Sequence, residues 1–243
     1  MEAMQARFRE RARRDLEVLR RHLAADDLGG EMVETTAHKL AGSAALFGFP
    51  GIGEAAREID RALSTGDRPG RDMLETLIAR LAAAASPGPQ PAAASAAEAA
   101  GSPAGGGETI LVVEDDDLLR AHAERALQGF GYQVLCAAGA DDLLARLDTL
   151  PPIQLLFTDL MLPGAADGEA LAREIRRRRP QVRVLFTSGR SPREPAGETA
   201  PPFLPKPYRR DALAAMVRRI LNQPADEAGA RPTDASTLES EEP

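Results

Sequence analysis

The sequence predicts two domains in series: an antiparallel, all-α four-helix bundle, then a doubly wound α/β domain on a five-stranded parallel sheet. Three observations carry this. Residues 1–85 repeat apolar side chains at the 3.6-residue period of helices. From residue 108 to 223, short runs rich in Val, Ile, Leu and Phe alternate with amphipathic stretches. Between them, SPGPQPAAASAAEAAGSPAGGG (86–107) has no apolar period and no large side chain to bury, so it reads as a flexible linker.

The bundle's helices follow in order. The first is expected over about Ala3–Ala25, with Met4, Phe8, Ala12, Leu16, Leu19 and Leu23 on one face. The second spans about Glu31–Phe47 through Val33, Ala37, Leu40, Ala44 and Phe47. The third opens after Pro50 and uses Ile52, Ala55, Ile59 and Ala62, and the fourth uses Met73, Leu77, Ile78 and Leu81. One stripe per helix with short connections describes an antiparallel bundle.

In the second domain, TILVV (109–113), YQVLCA (132–137), QLLFT (154–158) and VRVLF (182–186) are the clear strands, and Phe203–Leu204 is a short fifth. Helices are expected at about 117–129, 140–148, 168–178 and 209–221. Alternation of this kind gives a parallel sheet covered on both faces. The tail 224–243 is acidic, poor in apolar residues and expected to be disordered.

Composition excludes several function classes. Residues 1–85 carry 13 basic and 14 acidic side chains and 107–223 carry 16 of each, so neither part offers an extended nucleic-acid surface. The basic run Arg176–Arg179 falls in the last turn of a predicted helix, where cations suit the dipole. No apolar run reaches the ~18 residues of a membrane span, and the N-terminus lacks a signal-peptide pattern. A single cysteine, Cys136, excludes an internal disulfide and fits a cytoplasmic setting. Heavy use of Ala and Arg suggests a bacterial source.

Ligand sites in doubly wound sheets lie beyond the carboxyl ends of the strands. There the first strand runs into Glu114, Asp115, Asp116 and Asp117, and the third into Asp159. The fourth runs into Thr187, Ser188 and Gly189, and the fifth leads to Lys206. Carboxylates gathered at one edge repel unless a cation compensates, and Mg²⁺ suits a site that also holds phosphate oxygens. Lys206 and the Ser188 hydroxyl would serve the same phosphate. Asp116 or Asp117 could instead simply cap the following helix.

This region resembles a response-regulator receiver domain. ILVVEDDDLLR (110–120), LLFTDLMLPG (155–164), VLFTSGR (184–190) and FLPKPY (203–208) carry the likeness. The resemblance implies Glu114 and Asp115 as the acidic pair, Asp159 as phosphoacceptor and the Met161 backbone carbonyl as a further Mg²⁺ ligand. It also implies Ser188 as the conserved hydroxyl, Lys206 as the phosphate-pairing lysine, Phe203 as the switch aromatic and a cis Lys206–Pro207 bond. One departure is the proline-rich interval after Ser188, which has no helical stripe, so the fourth receiver helix is expected to be reduced.

Of the three histidines, His22 and His122 read as ordinary surface or flank positions. His38 lies about 100° from Ala37 on the core stripe and so faces out of the bundle, among the small residues Ala41, Gly42 and Ala45. Gly inside a helix costs roughly 1 kcal/mol relative to Ala, so Gly42 implies that another backbone or domain comes close. AHKLAGSAALFGFPGI (37–52) resembles the histidine-containing phosphotransfer (HPt) signature. The resemblance implies His38 as the phosphorylated histidine, with Gly42 and Ser43 beside it and Lys39 assisting. Ala41 departs from the family's frequent lysine.

Together these imply a phosphorelay protein without an ATP-binding kinase module, passing a phosphoryl group between His38 and receiver aspartates. Its partners would be a histidine kinase, other receivers or other HPt proteins, with no nucleic acid and no membrane. The rival from another class is an adaptor that docks on a kinase or receiver, with docking switched at Asp159.

Overall fold

A computed structural model describes residues 2–86, 106–164, 166–189 and 201–223. Most of the 86–107 linker, the 224–243 tail and the 190–200 interval, where the reduced helix was expected, lie outside the described residues.

Four helices form the first domain: α1 (Glu2–Ala24), α2 (Glu31–Ser43), α3 (Pro50–Ser64) and α4 (Arg71–Ala85). The predicted stripes are its core. Phe8, Ala12 and Leu19 of α1 are fully buried against Val33, Ala37 and Leu40 of α2, Ala56 and Ile59 of α3, and Leu74, Leu77 and Leu81 of α4. Phe8 stacks on Phe49 with ring centroids 4.9 Å apart, closing one end of the core. The second helix is shorter than its periodicity suggests, because its last turn tightens into a 3₁₀ segment over Ala44–Phe47. Such tightening is common at helix ends and still buries Phe47. Pro50 occupies the first turn of α3, where its missing N–H costs nothing.

The second domain runs β1 (Thr109–Val113), α5 (Asp117–Gly129), β2 (Gln133–Ala137), α6 (Ala140–Arg146), β3 (Leu155–Asp159), α7 (Gly168–Arg178), β4 (Arg183–Ser188), β5 (Phe203–Pro205) and α8 (Arg210–Leu221). All strand pairs are parallel, in the order β2-β1-β3-β4-β5 of flavodoxin-like domains. The period-2 alternation divides each strand between two cores. Ile110, Val112, Leu155 and Phe157 pack under α5 and α8, while Leu111, Val113 and Leu156 pack under α6 and α7.

The strand order switches between β1 and β3, the chain winding first outward to β2 and then back across to β3, which opens a crevice at their carboxyl ends. The arginine run at the end of α7 ties helices together rather than only meeting solvent. Arg178 donates to the Leu144 carbonyl, and Arg179 donates to the carbonyls of Leu147, Leu150 and Pro151.

Candidate functional site

Glu114, Asp115 and Asp159 meet at the β1/β3 crevice, with one carboxylate oxygen from each lying within 4.8 Å of the others. Three carboxylates this close demand a cation, and Lys206 supplies one. Its Nζ lies 2.6 Å from Glu114 Oε2 and 2.5 Å from Asp159 Oδ2, and all three side chains are almost fully buried. Burial alone would lower the lysine's pKa, but the two carboxylates outweigh it and raise the pKa above the ordinary value. Burial, the largest influence on Glu114, pushes that carboxyl up to about 8 despite Lys206. The lysine therefore stays charged, and Glu114 is the group that takes up a proton when no further cation is present.

Local structure sets these positions. Asp159 ends β3, and its Oδ1 accepts from the Met161 backbone N–H at 3.0 Å. Gly168 opens α7 directly beneath, where an added Cβ would collide with the Asp159 carbonyl oxygen. The Lys206 N–H donates to the Ser188 carbonyl at 2.9 Å, fixing the start of its loop to the end of β4, and the Lys206–Pro207 bond is cis. Asp116 caps α5, its Oδ1 accepting from Leu118 and Leu119 N–H.

The bundle packs against this crevice. His38, Lys39 and Gly42 of α2 line one small cleft with Glu114, Asp115, Asp116, Leu119, Asp159, Gly189 and Lys206. The cleft holds ≈ 10 Å³, room for about one water molecule. His38 points out of the bundle as expected but is not exposed: its side chain keeps 17% exposure because the receiver covers it. Gly42 is the close approach, since a Cβ there would sit 3.4 Å from Lys206 Cδ and 3.6 Å from Leu119 Cδ1. Lys39 Nζ is paired with Asp115 Oδ2 at 2.8 Å.

Several residues of the expected site are not among those lining the cleft. The Ser43 side chain is fully buried and its hydroxyl donates to the Lys39 carbonyl one turn back, so it serves the helix. Ser188 is buried at the end of β4 beside Gly189, and Thr187 spends its hydroxyl on the Leu204 carbonyl at 2.8 Å. Phe203 is half-buried against the α6/α7 core, and the Met161 side chain is exposed.

Two further residues carry no local signal in the sequence. Asp60, on α3, puts its Oδ1 3.2 Å from His38 Nδ1. His122 is no surface histidine: it sits at the domain boundary, edge-on to Phe47 with centroids 6.4 Å apart. Burial, then Arg210, lowers its pKa. His22, by contrast, makes a local contact with Asp27.

A four-helix bundle presenting a histidine, docked on a parallel sheet that ends in carboxylates and a lysine, defines a two-component signalling protein. Residues 3–86 match the Hpt domain family and residues 110–218 match the response regulator receiver domain family, so the chain is an Hpt domain joined to a receiver. The receiver is 32% identical over 112 residues to the sensor kinase CckA of Brucella abortus, covering 44% of this chain and 12% of that protein. It is also 32% identical over 103 residues to the DNA-binding transcriptional regulator NtrC of Salmonella typhimurium, covering 41% of this chain and 22% of NtrC. The match thus spans under a quarter of either relative. Among solved structures, the receiver domain of hybrid histidine kinase CckA is similar at 36% identity and a TM-score of 0.40, covering 47% of this chain and 99% of that one. Among the described residues no helix is long and apolar enough to cross a membrane.

Proposed function

We propose that this chain passes a phosphoryl group between His38 and receiver aspartates, its own Asp159 being the one within reach. The observation that carries this is that His38 and Asp159 line a single cleft. A carboxylate can only accept, so Asp60 holds the proton on His38 Nδ1 and leaves the Nε2 lone pair as nucleophile. In transfer from phospho-Asp159, Nε2 bonds to phosphorus while the P–O bond to the carboxyl breaks, its electron pair returning to the Asp159 carboxylate. The reverse path loads Asp159 from phosphohistidine.

The transition state is loose, so positioning and charge neutralisation do most of the work. Glu114, Asp115, Asp159 and the Met161 carbonyl would hold Mg²⁺, as the oxygen-rich donor set suits. Once bound, the ion would neutralise the phosphoryl oxygens. Lys206 pairs with those oxygens, the Ser188 hydroxyl donates to one of them, and Phe203 follows the state of the site. Phosphoryl groups enter from a histidine kinase or another relay protein.

Single-turnover labelling tests this. Label placed on His38 by a phosphodonor should drain onto Asp159 in wild type and persist on His38 in the Asp159→Ala chain. Equal drainage in both removes transfer within the chain. The adaptor alternative draws on the same docking, and His38→Gln separates the two: an adaptor keeps its signalling effect, whereas a relay loses it.

A further inference from the structure

Four acids follow one another after β1, and they divide by direction. Glu114 and Asp115 form the carboxylate cluster with Asp159, while Asp116, at the edge of the cleft, and Asp117 reach the arginines of α1. Arg11 Nη1 donates to Asp116 Oδ2 at 2.6 Å across 105 residues of sequence, and both side chains are buried. Arg11 also holds Asp15, one turn on, at 3.2 Å. One turn back on the same face, Arg7 lies 3.7 Å from Asp117 in an exposed, weaker pairing.

Of the seven arginines on α1, Arg11 alone is buried. Burying a guanidinium is costly unless its charge is matched, so the buried one must have a dependable partner. Asp116 is dependable because its other oxygen is already fixed as the α5 cap. Between these contacts Leu118 leaves its own domain and packs into the bundle's core.

We infer that Arg11 is a register-reading residue: the bundle accepts receivers that carry a carboxylate directly after the acidic pair, its own receiver first among them. A neutral cap such as Ser or Asn would hold α5 equally well but leave the buried Arg11 with Asp15 as its remaining carboxylate. A one-residue slip in docking would set Arg11 on Asp115 or Asp117 and carry His38 away from Asp159. As a rule for delivering phosphate this rests on the phosphotransfer proposal, whereas the docking contact itself does not.

The test uses intact chains. D116N keeps the cap and the shape but removes the charge, and R11M removes the bundle's half, with R11K as the charge-retaining control. Small-angle scattering should show both D116N and R11M expanding relative to wild type and R11K expanding less than R11M, with helical circular dichroism unchanged. In parallel, a D159A chain phosphorylated on His38 is offered H38Q acceptor chains with and without D116N. Transfer should slow at least tenfold with D116N, R11M in the donor should slow it similarly, and the two together should slow it no further. Unchanged scattering in both D116N and R11M, or equal transfer to both acceptors, overturns the inference. If label never leaves His38 while both variants still expand, the phosphotransfer proposal fails and the docking contact stands.

Discussion

Nδ1 of His38 and Oδ1 of Asp60 lie 3.2 Å apart, joining α2 to α3 beside the cleft where the bundle meets Glu114, Asp115 and Asp159. A carboxylate behind an imidazole fixes its tautomer and orientation, as in metal and triad sites. Asp60→Asn keeps the shape but offers an amide in place of the carboxylate. The expected outcome is phosphorylation of His38 slowed about 10- to 100-fold with little change in the melting curve. A rate equal to wild type would show that Asp60 merely packs.

Gly42 sets helix stability against docking. Gly42→Ala should stabilise α2 by about 0.5–1 kcal/mol through helix propensity. Its methyl group would come into ordinary contact with Lys206 Cδ at 3.4 Å and Leu119 Cδ1 at 3.6 Å, so transfer to Asp159 should be nearly kept, whereas the larger Gly42→Leu side chain should separate the domains and slow it. Thermal melts and single-turnover transfer on the same samples check both outcomes.

Glu114 makes metal-free stability depend on pH. Its folded carboxyl is raised to about 8 by burial, whereas unfolded it titrates near 4.3. Between those values the native state binds the extra proton, so stability is highest below the unfolded value and falls as pH rises. Denaturant melts in EDTA should lose on the order of 2–4 kcal/mol between pH 5 and pH 8, a slope that Glu114→Gln removes. Mg²⁺ affinity should rise over the same interval as the proton leaves.

Lys39 sits on a carboxylate that the metal would need. Lys39→Ala should therefore tighten Mg²⁺ binding, by roughly 3- to 10-fold for an ion pair worth about 1 kcal/mol. Calorimetric titration of the intact chain reads this directly, and unchanged affinity would mean that Lys39 yields Asp115 without cost.

Much of this was legible in the sequence because it is local. Each helix stripe and strand run lies within a short window, and the acids after β1, Asp159 and Lys206 fall at strand ends where topology alone collects them. Gly42 could be read as a close approach because glycine is costly in a helix unless something needs the space. Asp60 could not be singled out, since an acid on an amphipathic helix is ordinary until folding sets it behind His38. Arg11 likewise looked like one of seven cations on α1. His122 does not read as covered because its neighbours, Phe47 of the bundle and Tyr208 of its own domain, lie far along the chain. The tight final turn of α2 escaped because 3₁₀ and α segments share their apolar spacing over so few residues.

The cover over His38 has a further consequence. On the phosphotransfer proposal, an outside donor would have to displace the receiver to reach that imidazole, and its apparent affinity would be weakened by the fraction of undocked molecules. Whatever strengthens the grip between the halves throttles loading from outside, and whatever loosens it hastens loading. The packing of the bundle on the receiver would thus act as a valve on the proposed traffic through the chain.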